Sequence, residues 1–395
     1  MKTLIVLSAL VLLAPVDSYA SCMLDRGSNL YLSEGATDLA LHPPSVGSLR
    51  AFVIFVDFSD APADESAEEL YQSFIPGAVA WFDQASFGRF SFEPVPDFRW
   101  FRMPLPSTSY GFNALTFAKH RAYVNDAIQA ADPHVDFSGG GVIYVVSSRG
   151  AAIPISPTLL GPVGQGISVD GTELRLGVTF GNDIRFPRQN YGSWIAVHET
   201  LHILGLPDLY LFDGSPYPQY LRVVGGWDPM SWIAPGAHLV AWHARKLGWI
   251  DEAQLVCADP SGEGTRVTLT PAIVEGGTKA VAVKLSDSKA IVAEYRARTG
   301  LDAGLCDSGL LIYTVDAKVA TGFGPVEVIA ASEGTNATAL AQCGPKYAAP
   351  FDIGPGEIWL YTHSTGLRIE LLSLGEGSAT VHVGYPAPRR RAVRH

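Results

Sequence analysis

Residues 198 to 208 read HETLHILGLPD, a string whose residue types can hold a metal and move a proton beside it. On a helix, positions i and i+4 lie one above the other, so His198 and His202 present their imidazoles to one point. Neutral imidazole is a good zinc ligand. Glu199 stands about 100° further round the helix, beside such a metal rather than on it, where a general base for an activated water belongs. By composition alone, roughly one chain in a hundred of this length carries HExxH by chance, so the pair needs a third ligand to mean anything. The first glutamate after Glu199 is Glu252 and the next histidine after His202 is His238, both distant. Asp208 is near. Gly205 permits a left-handed turn at the helix end, Pro207 keeps the helix from resuming, and Asp208 can then swing back toward the metal. His238 is the reserve ligand. The competing reading is an ordinary C-cap at Gly205 followed by a surface aspartate.

The string resembles the extended HExxHxxGxxH/D signature of metzincin peptidases. With aspartate last and Leu-Pro ahead of it, it is most similar to the immune inhibitor A family of secreted metallopeptidases. VGGWDPMSW sits where that family has its Met-turn, and HLVAWHARKLGWI looks like the helix after it. VIFVDFSD and WFDQASFGRFSF resemble its opening strand and helix–strand unit, and GLDAGLCDSGLLIYTVD the segment ahead of its terminal β domain. The likeness implies a metzincin-like α/β (α+β) domain with a twisted mixed sheet and an active-site helix, and zinc as the cofactor. It implies His198, His202 and Asp208 as ligands, Glu199 as catalytic base and Met230 as the methionine beneath the metal. Protein or peptide substrates follow from it. Leu201 replaces the glycine often seen in HExGH, and Trp232 stands where some metzincins carry a tyrosine. Leu211 stands where relatives often carry aspartate, so calcium has no support here. A zinc hydrolase of another amide, in cell wall or glycan, is one competing function. A secreted binding protein with an inert peptidase-like domain is another, against which the intact HExxH argues.

The elements that must position these residues are legible as apolar patterns. LRAFVIFVDF, RFSFEPV, GVIYVVSS and ELRLGVTF read as strands, the last as an edge strand. ESAEELYQSF, GAVAWFDQASFG and ALTFAKHRAYVNDAIQAA read as helices. The motif helix is expected from about Tyr191 to Leu204, and a later helix over 236–250. From 254 to 386 short alternating runs separated by Gly, Ser, Asp and Pro read as an antiparallel β-sandwich. The catalytic domain is therefore expected over 21–253. Trp227, Trp232 and Trp242 flank the Met-turn, with core packing favoured over a substrate pocket, and His238 and His243 read as structural by default.

The chain has 395 residues, 47% hydrophobic and 17% charged, and can bury large cores. A net charge of −11 argues against nucleic acid as the main partner. Residues 1–20 read as a signal peptide cut after about Ala20, 387–395 as a basic disordered tail, and no stretch is long enough for an integral membrane segment. These readings describe a secreted, monomeric protein. Its four cysteines allow three disulfide patterns. The pattern expected joins Cys22 to Cys257 and Cys306 to Cys343, with free buried thiols as the alternative.

Overall fold

The computed structural model describes residues 22–386 except 29, 234, 333 and 376. The expected signal peptide and basic tail lie outside the described residues. The first sheet holds β1 (Gly47–Asp57), β2 (Phe90–Arg102), β3 (Val142–Ser147), β4 (Thr158–Leu160) and, after a small hairpin of β5 (Ile167–Val169) and β6 (Thr172–Leu174), β7 (Leu176–Phe180). Its order is β2-β1-β3-β7-β4, parallel except for β4, which runs antiparallel to β7. The strand period of two explains the layers. Ala51, Val53 and Phe55 of β1 join the core of helices α1 (Ala67–Ala85) and α3 (Tyr191–Ile203). Phe52, Ile54 and Val56 face the core of α2 (Phe117–Ala131) on the other side. With both faces covered, β1 reads as an unbroken apolar run rather than an alternation.

Three local expectations are corrected. ELRLGVTF is not one edge strand. It breaks at Arg175, whose carbonyl bonds Gly161 and whose guanidinium reaches the carbonyls of Ala40 and Leu41, and β7 then enters the sheet between β3 and β4. The edge strand on that side is β4, too short and too closely flanked by Pro157 and Pro162 to show a strand pattern. ESAEELYQSF and GAVAWFDQASFG merge into the single helix α1, which carries Pro76 inside and is capped by Ser66 accepting from the Glu69 N–H. Next to that proline, a Cβ on Gly77 would stand 2.4 Å from Ser193 Oγ, so glycine lets α1 approach α3 closely. The helix expected over 236–250 shrinks to α4 (Ala241–Lys246). Ahead of it, buried carboxylates of Asp302, Asp228 and Glu294 accept from the N–H groups of His238, Val240 and Ala241, which keeps 237–240 out of the helix.

The later region contributes β8 (Leu255–Cys257), β9 (Thr265–Leu269), β10 (Ala280–Ser286), β11 (Lys289–Arg296), β12 (Gly309–Asp316), β13 (Val326–Ile329), α5 (Ala337–Cys343), β14 (Leu360–Thr362), β15 (Arg368–Gly375) and β16 (Ser378–Gly384). They form two sheets, β13-β12-β11-β10-β8 and β14-β15-β16-β9. The first is mixed rather than wholly antiparallel, because β8 pairs in parallel with β10. Its faces separate cleanly. Ala282, Val292, Leu311 and Tyr313 enter the core that holds α1, α3 and α4, whereas Val281, Ile291 and Ile312 pack with Val267, Ile369 and Val381 of the second sheet. The whole is a mixed α/β protein, and the sheet after the site region shares that region's core.

Both expected disulfides are present, Cys22–Cys257 and Cys306–Cys343, with Cα separations of 5.4 and 5.9 Å. Two disulfides point to an oxidising environment. No helix among the described residues is long and apolar enough to cross a membrane.

Candidate metal centre

Helix α3 is buried along almost its whole length, so His198, Glu199 and His202 are held by packing on every side. Its end sets the geometry. Gly205 adopts φ +98°, its N–H bonds the His202 carbonyl, and the Leu206 N–H bonds the Leu201 carbonyl, a Schellman closure. That closure delivers the Leu206 carbonyl to His202 Nδ1 at 2.8 Å. The Pro229 carbonyl, in the turn before Met230, meets His198 Nδ1 at 2.9 Å. A carbonyl can only accept, so in the neutral imidazoles both Nδ1 atoms carry the proton and both Nε2 atoms are left as lone pairs.

Those lone pairs converge on the predicted third residue. Asp208 Oδ1 lies 3.2 Å from His198 Nε2 and 3.2 Å from His202 Nε2. The ligand atoms of the three residues all lie within 4.8 Å of one another, and each residue is 7% exposed. Asp208 Oδ1 has no hydrogen-bond donor although it is buried. A buried unsatisfied polar atom costs about 1–3 kcal/mol, and more for a charged one. Three acceptors therefore face one point, an arrangement that a cation would satisfy. Without a metal that cation is a proton: burial alone would lower His202, but the Asp208 carboxylate pushes it up to about 9. Burial would raise Asp208, but the two imidazoles hold it well below the usual carboxylate range. Two imidazole nitrogens and a carboxylate oxygen form a donor set that could hold a divalent metal ion.

Glu199 sits beside this point, 9% exposed, and burial pushes its carboxyl above the ordinary range against the pull of His198 and His202. Thr158 of the edge strand β4 donates to Glu199 Oε2 at 2.6 Å. Asp208 is held from much farther along the chain. Thr321 Oγ1, between β12 and β13, accepts from the Asp208 N–H at 2.9 Å and donates to Oδ2 at 3.2 Å. Sequence reasoning missed Thr158 and Thr321, since neither lies near the motif and threonine in a loop carries no pattern. It missed Tyr210 as well, whose ring stacks on His198 with centroids 6.3 Å apart.

The remaining candidates fall into place individually. Met230 is fully buried and its carbonyl accepts the Leu209 N–H at 2.9 Å, tying the motif's end to the Met230 turn. His238 is not a ligand, because its ring nitrogens face the carbonyls of Leu239 and Ala85. Glu252 pairs with Arg245, away from the cluster. Trp227 and Trp242 are core residues at 2% and 1% exposure, whereas Trp232 is half-buried. No family model matches the chain, and no curated protein matches it. The reading of the site rests on its own geometry.

Proposed function

We propose that the protein is a secreted zinc endopeptidase of metzincin type, with a catalytic domain completed by a β-sandwich. The observation that carries this reading is the orphaned Asp208 Oδ1, equidistant at 3.2 Å from two imidazole nitrogens whose partner nitrogens are already committed. His198, His202 and Asp208 would hold the zinc. Bound there, zinc would act as a Lewis acid and would lower the pKa of a water to about 7. Glu199 would take a proton from the attacking water and return it to the leaving amine. Its buried surroundings favour the protonated form once the proton has arrived, which suits a group that must give it back. Thr158 fixes the Oε2 atom and so orients this carboxyl group.

The terminal position of β4 supports a polypeptide substrate, because a strand at the end of a sheet offers backbone groups to an extended chain. Export is supported by the N-terminal pattern of the sequence and by the two disulfides. The test is elemental analysis of purified protein together with casein cleavage before and after treatment with a zinc chelator. The expected result is one zinc per chain, cleavage lost on chelation and restored by zinc. Metal-free protein that cleaves casein unabated would overturn the reading.

A further inference from the structure

A row of aromatic rings that the core does not use begins at the candidate metal centre. It starts with Tyr210 on His198. Tyr210 meets Phe212 at 5.3 Å and Tyr220 at 5.8 Å between centroids. Tyr217 continues the row, 6.2 Å from Tyr220 and 6.3 Å from Trp232. Phe212 and Tyr217 are 52% and 53% exposed, while Trp227 and Trp242, close by in sequence, are sealed in the core. The fold therefore buries large rings elsewhere and leaves Phe212 and Tyr217 in water, with Tyr210, Tyr220 and Trp232 partly buried. Contiguous exposed apolar surface marks a binding site, and tyrosine and tryptophan are its usual anchors. The charges alongside, Asp213 and Arg222, pair with each other and so do not aim at a ligand.

We propose that this row is the specificity surface of the site, receiving an apolar, preferably aromatic, side chain of an extended peptide beside the bond to be cut. The proposal rests on the peptidase reading above and names its substrate class. A peptide fits better than a glycan. The carboxylate alongside the rings, Asp213, is taken by Arg222 and so does not face a sugar hydroxyl. A peptide needs only rings for its side chain and a strand edge for its backbone, and β4, which carries the Thr158 that holds Glu199, supplies the edge.

The experiment measures binding apart from turnover. Zinc-loaded Glu199→Gln protein is titrated calorimetrically with two peptides identical except for one residue, phenylalanine or aspartate. The phenylalanine peptide is expected to bind about tenfold tighter or more. Tyr217→Ala with Trp232→Ala in the same background removes most of that preference, while Tyr217→Phe keeps it; zinc content and circular dichroism verify the fold of each variant. In active protein the same double substitution raises KM for the phenylalanine peptide and leaves the aspartate peptide unchanged. Equal affinity for the two peptides overturns the proposal, as does an equal loss on both. Tighter binding of a peptidoglycan glycan strand than of either peptide overturns it too. Selective binding of the phenylalanine peptide without cleavage by the wild type would leave the specificity surface standing and remove the peptidase reading, so the two fail separately.

Discussion

Two clusters of histidine and carboxylate hang from one turn, Asp228–Met230, and they meet opposite fates. In the deeper one His243 lies between Asp228 and Glu34, with Nδ1 2.9 Å from Asp228 Oδ2 and Nε2 3.0 Å from Glu34 Oε1. All three side chains are 0% exposed. Burial alone would lower His243, but Glu34 and Asp228 push it up to about 10, so the cation this cluster needs is its own proton. Asp228 also accepts from the N–H groups of Met230 and Val240, which makes the cluster a strut that ties the N-terminal segment to the Met230 turn. In the other cluster the ratio is reversed. Two histidines share one carboxylate, backbone carbonyls take both Nδ1 protons, and three acceptors face one partly reachable point. Two carboxylates around one imidazole make a buried ion pair; two imidazoles around one carboxylate, with both Nδ1 atoms facing carbonyls, leave a donor set that could hold a metal.

That contrast can be broken in several ways. The largest effect belongs to Glu199→Gln, which should lower casein cleavage by about 10²–10⁴-fold, the usual contribution of a general base, with zinc content unchanged. Loss of zinc in that variant would show Glu199 to be a ligand instead. Next, Asp208→Ala should emerge from purification without stoichiometric zinc, whereas His243→Gln should keep it; equal zinc loss in both would erase the distinction between site and strut.

His243→Gln should in turn lose about 3–5 kcal/mol of stability in urea unfolding, the scale for removing one member of a buried ion pair. Its pH dependence has a definite sign. The folded pKa of about 10 exceeds the unfolded value near 6.5, so the contribution is fully present below pH 6.5 and is lost as pH rises toward 10. The stability gap between wild type and His243→Gln should therefore narrow across that window; a gap that widens would place the proton elsewhere. The smallest effect is expected from Thr321→Ala. Losing the hydroxyl that holds Asp208 should weaken zinc binding by about 10–100-fold while the protein stays folded, as measured by competition with a chelator.

Much of the site was legible because its decisive features are local. The i, i+4 spacing of His198 and His202 follows from the helix repeat, and the bend that frees Asp208 follows from a glycine with no Cβ. The large strands β1 and β3 and the helices α2 and α3 showed in the same way. What misled was also physical. The helix expected over 236–250 lost its first half because carboxylates from Asp228, Glu294 and Asp302 claimed its N–H groups, and two of those lie more than fifty residues downstream. Strand β4 escaped notice because three residues between prolines have no period to read.

The sequence by itself determined which side chains share the face of α3 and where that helix must stop. Only the tertiary structure decided what they are aimed at. Pro229 reaches His198 across 31 residues, Thr158 reaches Glu199 across 41 and Thr321 reaches Asp208 across 113. Backbone propensity acts over a turn or two of chain, whereas a hydrogen-bond partner is chosen by whichever segment the packed cores bring within 3 Å, and no local pattern encodes that meeting.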